Sequence, residues 1–390
     1  MHDFDIIVVG AGPAGLAFTR ALADSGLSIA LVERQPADVL AAPPVDGREI
    51  ALTHRSVATL EKLGAWGRIP PDEIFALRAA RVYNGRSPLA LGFDPDGGEH
   101  DRLGCLVSNH LIRQSLFAAM DGQDGVTLMA STGVEHVHAD RAGARVTLAD
   151  GRTLTARLLV AADSRFSAVR EQLGISAEIN RLGKSMLVAR LSHERPNHGL
   201  ATEWFGHGQT IAMLPLGEHE SSAVLTLPSA TIERIAAYPP EVLAAEIEDR
   251  FERRLGTMRF VSGPHVYPLA TTYARHFASD SAALIGDAAV GMHPVTAHGF
   301  NLGLQSAATL AGLVRDAAQK HRPIASPLLL RRYEARHRLA TRPLYSGTNL
   351  LVHLYTAESP RAHVARRAAL GAAARIGPLN TAITRLLLRH

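Results

Sequence analysis

The sequence predicts an α/β fold: a Rossmann-like dinucleotide-binding body that carries a β-meander and is interleaved with a second domain built on an antiparallel sheet. Three observations predict it. A glycine-rich turn lies between an apolar strand and a helix near residue 10. Three strand-like segments fall between residues 133 and 162. Residues 176–274 change to short strands typical of an antiparallel sheet, and from Ser281 the pattern returns to strand, loop and long helix.

Phe4–Val9 (FDIIVV) is short, apolar and β-branched, the pattern of a strand buried on both faces of a parallel sheet. Gly10–Gly15 is a glycine turn, Leu16–Ser25 a helix ended by Gly26, and Ser28–Val32 the next strand with Glu33 at its end, which completes a βαβ unit. Arg55–Leu63 reads as a helix closed by Gly64, Arg81–Tyr83 as a strand, and Asp94–Gly98 as a turn. Asn109–Met120 is a helix with an asparagine at its start. Gly133–His138, Ala144–Leu148 and Thr153–Ala162 form the meander, with a hairpin signal at Asp150-Gly151. Met186–Leu191, Ala201–Phe205, Thr210–Leu214 and Ser222–Leu227 read as strands of the second domain, and Pro240–Leu255 as a charged helix. The chain from Leu328 is helical and arginine-rich, without repeats or low-complexity linkers.

With 390 residues, 46 % apolar and 20 % charged, the chain can bury a large core, which excludes global disorder. A net charge of +4 does not suit a nucleic-acid binder, and none is expected as partner. The charge is uneven: from Arg315 to His390 there are 14 Arg and Lys against 3 acids. Such a stretch suits anionic lipid, RNA or an acidic partner, or equally a solvated helix surface. Cys105 is the single cysteine, so a disulfide framework and a thiolate metal site are excluded. No His-x-x-x-His lies near a carboxylate, and no metal is expected. Neither a signal peptide nor a spanning apolar run is read in the sequence.

Three motifs carry chemistry. In Gly10-Ala11-Gly12-Pro13-Ala14-Gly15, Gly10 permits the turn, Gly12 admits a pyrophosphate, and Gly15 lets helix and strand pack closely. Glu33, 18 residues past Gly15, suits a ribose with free hydroxyls, so FAD or NAD fits better than NADP. Asp163, in Ala161–Arg170, ends a strand and can cap the following helix. In Leu284–Gly303 an apolar strand ends in Gly286-Asp287, where a carboxylate can bind a polyol. A helix starting near Gly299 can aim N–H groups at developing negative charge.

With these motifs in this order, and with Asp46–Leu52 (DGREIAL), Leu60–Trp66 (LEKLGAW) and Leu103–Asn109 (LGCLVSN), the chain resembles the class A flavoprotein monooxygenases, whose archetype is para-hydroxybenzoate hydroxylase. Within them it looks most like the ubiquinone-biosynthesis hydroxylases of the UbiH, UbiF, UbiI and UbiM type, and Ala297-His298-Gly299 leans toward the UbiM-type branch. The resemblance spans about residues 3–357. It departs from the family at Asp163-Ser164 (usually Asp-Gly), Ala288-Ala289-Val290 (usually Ala-Ala-His), Ala297-His298-Gly299 (often Gly-Gln-Gly) and His110 (commonly Arg).

The resemblance implies FAD as cofactor, reduced by NAD(P)H or another transient donor. It implies O2 and a hydrophobic aromatic substrate, a prenylphenol or quinol, that receives one oxygen atom on its ring. Residues 1–70, 101–175 and 276–345 would form the FAD-binding domain, 71–100 and 176–275 the substrate domain, and 346–390 a basic helical tail. FAD would be held by Gly10, Gly12, Pro13, Ala14, Gly15, Glu33, Arg34, Arg48, His110, Asp163, Gly286, Asp287, Pro294, Gly299, Phe300, Asn301 and Leu302. His293, Pro294 and His298 are the catalytic candidates, since either histidine can act on a phenol proton or donate to a peroxide, though both also read as structural loop residues. Pocket walls are expected at Thr202–Phe205, Ala212–Pro215 and Val295–His298. A cytoplasmic location is expected, either free or peripheral at the inner membrane face through the basic tail. An isoprenoid C=C reductase, a hydroxylase of another aromatic compound, and a flavin-bearing assembly subunit stay open as alternatives.

Overall fold

The computed structural model describes residues 2–85, 90–95, 101–206, 208–294 and 298–356. Part of the turn expected at Asp94–Gly98, the wall residues Val295–Ala297 and the basic stretch from residue 357 onward lie outside them.

The first sheet is built on parallel strands. Its order is Ala278–Ser279, Ala282–Leu284, Thr153–Ala161, Phe4–Val9, Ile29–Val32 and Val126–Met129. Phe4–Val9 is flanked in parallel by Thr153–Ala161 and Ile29–Val32. Ile6, Ile7 and Val8 are fully buried, each contributing about 1.5–3 kcal/mol of apolar burial. Gly143–Leu148 and Val134–Asp140 extend Thr153–Ala161 into the antiparallel meander, turning at Gly151 with φ +86°. The helices Pro13–Ala21, Asn109–Met120 and Gly299–Gln319 pack on this body, and Pro327–Thr356 packs on Gly299–Gln319.

The second sheet has eight strands in the order Val290–Gly291, Met258–Ala274, Ala177–His193, Glu220–Pro228, Gln209–Pro215, Leu200–Gly206, Ala79–Asn84 and Ala90–Phe93. Its spine is two antiparallel strands of 17 residues each, Ala177–His193 and Met258–Ala274. Strand alternation divides its side chains cleanly. Leu187, Ala189, Leu191, Trp204, Ile211, Met213, Ala223 and Leu225 form a second core against the helices Ser229–Ala236 and Pro240–Arg250. Val188, Ala212 and Val224 point the other way, into a cavity. A small antiparallel sheet, Glu49–Leu52, Gly104–Ser108 and Phe75–Leu77, stands between the two larger ones in the chain's path.

Several expected boundaries move, for local reasons. The first helix starts at Pro13 rather than Leu16, because Gly12 is already an extended N-cap and Pro13 fits the first helical position. Met186–Leu191 is only the middle of a 17-residue strand, interrupted by Gly183 at φ +64° and by register shifts. The charged helix stops at Arg250, before Glu252 and Arg253, which have φ +52°. Ser108, not Asn109, is the N-cap of the next helix, and the Asn109 amide instead donates to Asp46 Oδ2 at 2.7 Å. The cap after the meander is Ser167, whose hydroxyl accepts from the Arg170 N–H at 2.9 Å, while Asp163 reaches only the Val169 N–H at 3.5 Å. No described helix is long and apolar enough to cross a membrane.

Candidate active site

A cavity of about 670 Å³ opens between the two large sheets. One half is made by the glycine turn. Gly10 has φ +106° and donates its N–H to Val32 O at 2.8 Å, and a Cβ there would meet Ala162 O at 2.5 Å. A Cβ on Gly15 would stand 1.9 Å from Gly10 O, so this glycine is required by close approach. Gly12 differs: its φ of −72° suits any residue, and a Cβ would meet nothing within 4 Å. Its constraint is therefore the space it leaves open on the cavity side.

Glu33 ends its strand beside this turn. Its carboxylate accepts from the Ala11 N–H at 2.7 Å and the Gln35 N–H at 2.9 Å. Arg34, Gln35 and Arg113 line the same end, and Arg113 donates to Gln35 Oε1 at 3.0 Å. His110, expected here, does not line the cavity. Its Nδ1 is buried without a partner among the described residues, and burial lowers its imidazole's proton affinity. Arg113, one helical turn further on, presents the cation instead. The i, i+3 spacing was the available signal.

Arg48 is held by Asp46 and Tyr267. Its guanidinium pairs with Asp46 at 2.6 Å and lies 5.3 Å from the Tyr267 ring centroid, and the Tyr267 hydroxyl donates to Asp46 O at 2.6 Å. Burial opposes ionisation of Asp46, but the charge and hydrogen bonds of Arg48 outweigh it and hold the carboxyl below its ordinary value. Glu49, with a side chain 1 % exposed, joins Arg190 at 2.8 Å and the Ser108 hydroxyl, tying the small sheet to the second sheet. Its burial pushes the carboxyl up in spite of Arg190.

The third motif closes the opposite side. Gly286 has φ +59° and donates its N–H to Ser306 Oγ at 2.9 Å. Asp287 pairs with Arg165 at 3.0 Å, and Arg165 also donates to Ala270 O. Asp163 lines the cavity, and its Oδ1 is buried with no partner among the described residues. Arg170, only 1 % exposed, joins this segment to the Gly-Asp motif by donating to Arg165 O at 3.1 Å and Ala288 O at 3.0 Å. Arg170→Leu is expected to cost about 1–3 kcal/mol for the buried Ala288 carbonyl it strands, read as a lower denaturation midpoint in urea.

Gly299 and Phe300, the first residues of a 21-residue helix, line the cavity with Met292, His293 and Pro294. The helix thus turns its positive end toward it. Asn301, Leu302 and His298 do not line it. Asn301 accepts from the Thr53 N–H at 3.2 Å and donates to Ala51 O at 2.8 Å. The Leu302 side chain is in the core and its N–H bonds His298 O. His298 is buried at the N-cap. His293 is buried, and desolvation reinforced by Lys184 and Arg165 pushes its imidazole down to about 4, so it is neutral at neutral pH.

Of the expected walls, Glu203, Ala212 and Leu214 face the cavity, joined by Met186, Val188, Thr210, Val224 and Thr226. Thr202, Trp204 and Met213 alternate away from it.

A family model described as an FAD binding domain matches residues 3–345. The chain belongs to this FAD-binding family. It is 46 % identical over 387 residues to the ubiquinone hydroxylase UbiM of Neisseria meningitidis, covering 98 % of this chain and 84 % of that protein. It is 34 % identical over 386 residues to the ubiquinone hydroxylase UbiL of Rhodospirillum rubrum, covering 99 % and 89 %. Identity to the 3-demethoxyubiquinol 3-hydroxylase of Escherichia coli is 27 % over 376 residues, 96 % of each chain. Among solved structures, p-nitrophenol 4-monooxygenase PnpA of Pseudomonas putida shares the fold with a TM-score of 0.77 at 17 % identity, covering 100 % of this chain and 99 % of that one. PqsL of Pseudomonas aeruginosa does so with a TM-score of 0.73 at 21 %, covering 95 % and 99 %.

The protein is an FAD-dependent oxidoreductase of the monooxygenase kind, and the residues present fit FAD. Gly12 leaves open space beside a helix N-terminus, which suits a pyrophosphate. Glu33, Asp163 and Asp287 line the cavity with carboxylates that would suit the hydroxyl groups of FAD, and the Asp163 Oδ1 lacks a partner that such a hydroxyl would provide.

Proposed function

We propose that this chain hydroxylates the aromatic ring of a polyprenylated phenol or quinol in ubiquinone biosynthesis, a demethoxyubiquinol among the candidates. The observation that carries this reading is that a single cavity joins a dinucleotide cradle to a largely apolar wall of the second sheet. The names of the UbiM and UbiL relatives support it.

In this reading Gly10–Gly15, Glu33 and Arg34 hold the adenine half of FAD. Arg48, Asp163, Gly286 and Asp287 hold its middle, and Pro294, Gly299 and Phe300 border its ring. FAD, once reduced, supplies the activation of O2 and the delivery of one oxygen atom to the ring. The chain supplies the rest. The apolar side chains Met186, Val188, Ala212, Leu214 and Val224 exclude water and receive the substrate. The N-terminus of Gly299–Gln319 favours negative charge at the ring edge it faces. Neutral His293 can donate or accept a hydrogen bond without adding charge. The sequence holds no second glycine fingerprint, so NAD(P)H meets the flavin transiently. A polyprenyl chain keeps the substrate in the bilayer, and the basic sequence between Arg361 and Arg389 suits the anionic inner face of the membrane or an acidic partner in a biosynthetic complex.

Mass-spectrometric quinone profiling tests the reading. Cells lacking the gene are expected to accumulate intermediates short of one or more ring hydroxyls. The wild-type gene is expected to restore the pool and Asp287→Ala to fail. A pool unchanged by deletion overturns the ubiquinone assignment.

A further inference from the structure

On the cavity face of the second sheet, cross-strand register sets side chains in rows. Glu203 pairs with Ala212, Ala212 with Val224, and Val224 with Val188. The next row runs Phe205, Thr210, Thr226 and Met186. Glu203 is thus a carboxyl set among methyl, thioether and threonine groups, on the wall opposite the dinucleotide cradle. It makes no side-chain hydrogen bond or ion pair among the described residues. Arg190, on the same face, is committed to Glu49 at 2.8 Å and Glu220 at 3.7 Å. On the adjoining strand Ala79–Asn84, Glu203 is in register with Val82, so Arg81 and Tyr83 point to the other face.

A carboxyl desolvated in this way costs stability unless a ligand partners it. Its neighbours Leu214, Val224 and Val188 show that the fold accepts apolar side chains on this wall. Burial, offset by no nearby cation, pushes the Glu203 carboxyl up to about 8, so it is un-ionised at neutral pH and its O–H is a donor.

We propose that Glu203 anchors the aromatic substrate, its carboxyl O–H donating to a ring oxygen and its carbonyl accepting from a ring hydroxyl. The inference rests on the aromatic-substrate reading above and adds the group that orients the ring. The polyprenyl tail and ring face meet apolar side chains, while the ring oxygens find one polar site. An aromatic ring lacking an oxygen substituent leaves that site unpaired and is discriminated against.

The test uses the FAD-loaded enzyme, 2-prenylphenol as probe, and the perturbation of the flavin's visible absorbance as the binding signal. Glu203→Leu is expected to weaken the dissociation constant about tenfold, the worth of one well-made hydrogen bond. The same variant is expected to melt at or above the wild-type temperature, because it replaces a partly buried carboxyl set among apolar side chains with an apolar one. Glu203→Gln keeps a donor and an acceptor and is expected to bind like wild type. Wild-type affinity in Glu203→Leu overturns the anchor and leaves the aromatic-substrate reading intact. So does a loss in Glu203→Gln as large as in Glu203→Leu. A wild-type holoenzyme that binds no 2-prenylphenol overturns the reading itself and the anchor with it.

Discussion

Gly15→Ala is expected to yield protein without FAD and with a lowered melting temperature. The added Cβ would lie 1.9 Å from Gly10 O and 3.3 Å from the Ala162 Cβ. Neither neighbour can yield easily. Gly10 is fixed at φ +106° with its N–H on Val32, and Ala162 donates its own N–H to Val9 O at 2.8 Å. Overpacking of this kind costs about 1–3 kcal/mol, and an obstructing backbone oxygen puts it at the upper end. Gly12→Ala is the matched contrast. Its backbone is regular and its Cβ meets nothing within 4 Å, so the FAD-free protein is expected to melt at or slightly above the wild-type temperature. FAD affinity should nevertheless fall, because the methyl occupies the pyrophosphate's approach. Flavin content by visible absorbance and melting temperature, measured on both variants, separate packing from cradle. A Gly15→Ala protein with full flavin and wild-type melting would falsify the close-packing account, and a Gly12→Ala protein with unchanged affinity would remove the pyrophosphate from this turn.

Acidification from about pH 6.5 toward 3 is expected to destabilise the protein progressively through His337, by up to several kcal/mol at the acid end. The ring stacks on Tyr333 with centroids 5.9 Å apart and an interplanar angle of 10°, and meets Phe277 at 5.2 Å. Its Nδ1 is buried without a partner among the described residues, and burial pushes the imidazole down to about 3. An unfolded chain holds this histidine near its ordinary value of about 6.5. The unfolded state therefore takes up a proton that the folded state refuses. Stability is full above about 6.5 and declines as pH falls from there toward the folded value of about 3. His293, pushed down to about 4, adds a loss of the same sign. His337→Phe keeps the aromatic packing and removes the titration. Urea denaturation at several pH values should show a shallower decline for the variant, with neutral-pH stability equal or higher. An identical decline in both proteins would assign the acid sensitivity elsewhere.

The parts of the site legible in sequence are those whose constraints are local. Gly10, Gly12 and Gly15 answer to one turn and its adjoining strand and helix, so their spacing announces them. Asp287 follows its glycine at the end of an apolar strand and is readable for the same reason. The resemblance places Glu203 within a wall segment, Thr202–Phe205, but its alternation does not tell which residues face inward, because one acid among alternating apolar and threonine residues has the same pattern as a solvent-facing strand. Only its register with Ala212 and Val224 shows that the face is interior. Arg170 was in view within its motif, yet an arginine one turn into a short helix reads as surface until its donation to Ala288, 118 positions away, is known. The 17-residue strand escaped for another reason: Gly183 and the register shifts break the alternation from which strand length is read.

The interleaving of the two sheets has a consequence for biosynthesis. The cavity proposed to hold FAD takes residues from positions 11–14, 33–35, 48, 113, 163–165, 286–287 and 299–300. Ala282–Leu284, which pairs in parallel with Thr153–Ala161, follows the whole second sheet in the chain. A ribosome must therefore release about three-quarters of the polypeptide before the cradle can close. Until then Leu159–Ala161 at the end of the central strand lack their parallel neighbour, while Gly143–Leu148 already covers Thr153–Ala156. Cofactor capture is thus expected late in synthesis, and added flavin during expression is expected to raise the folded yield, read as soluble protein per cell.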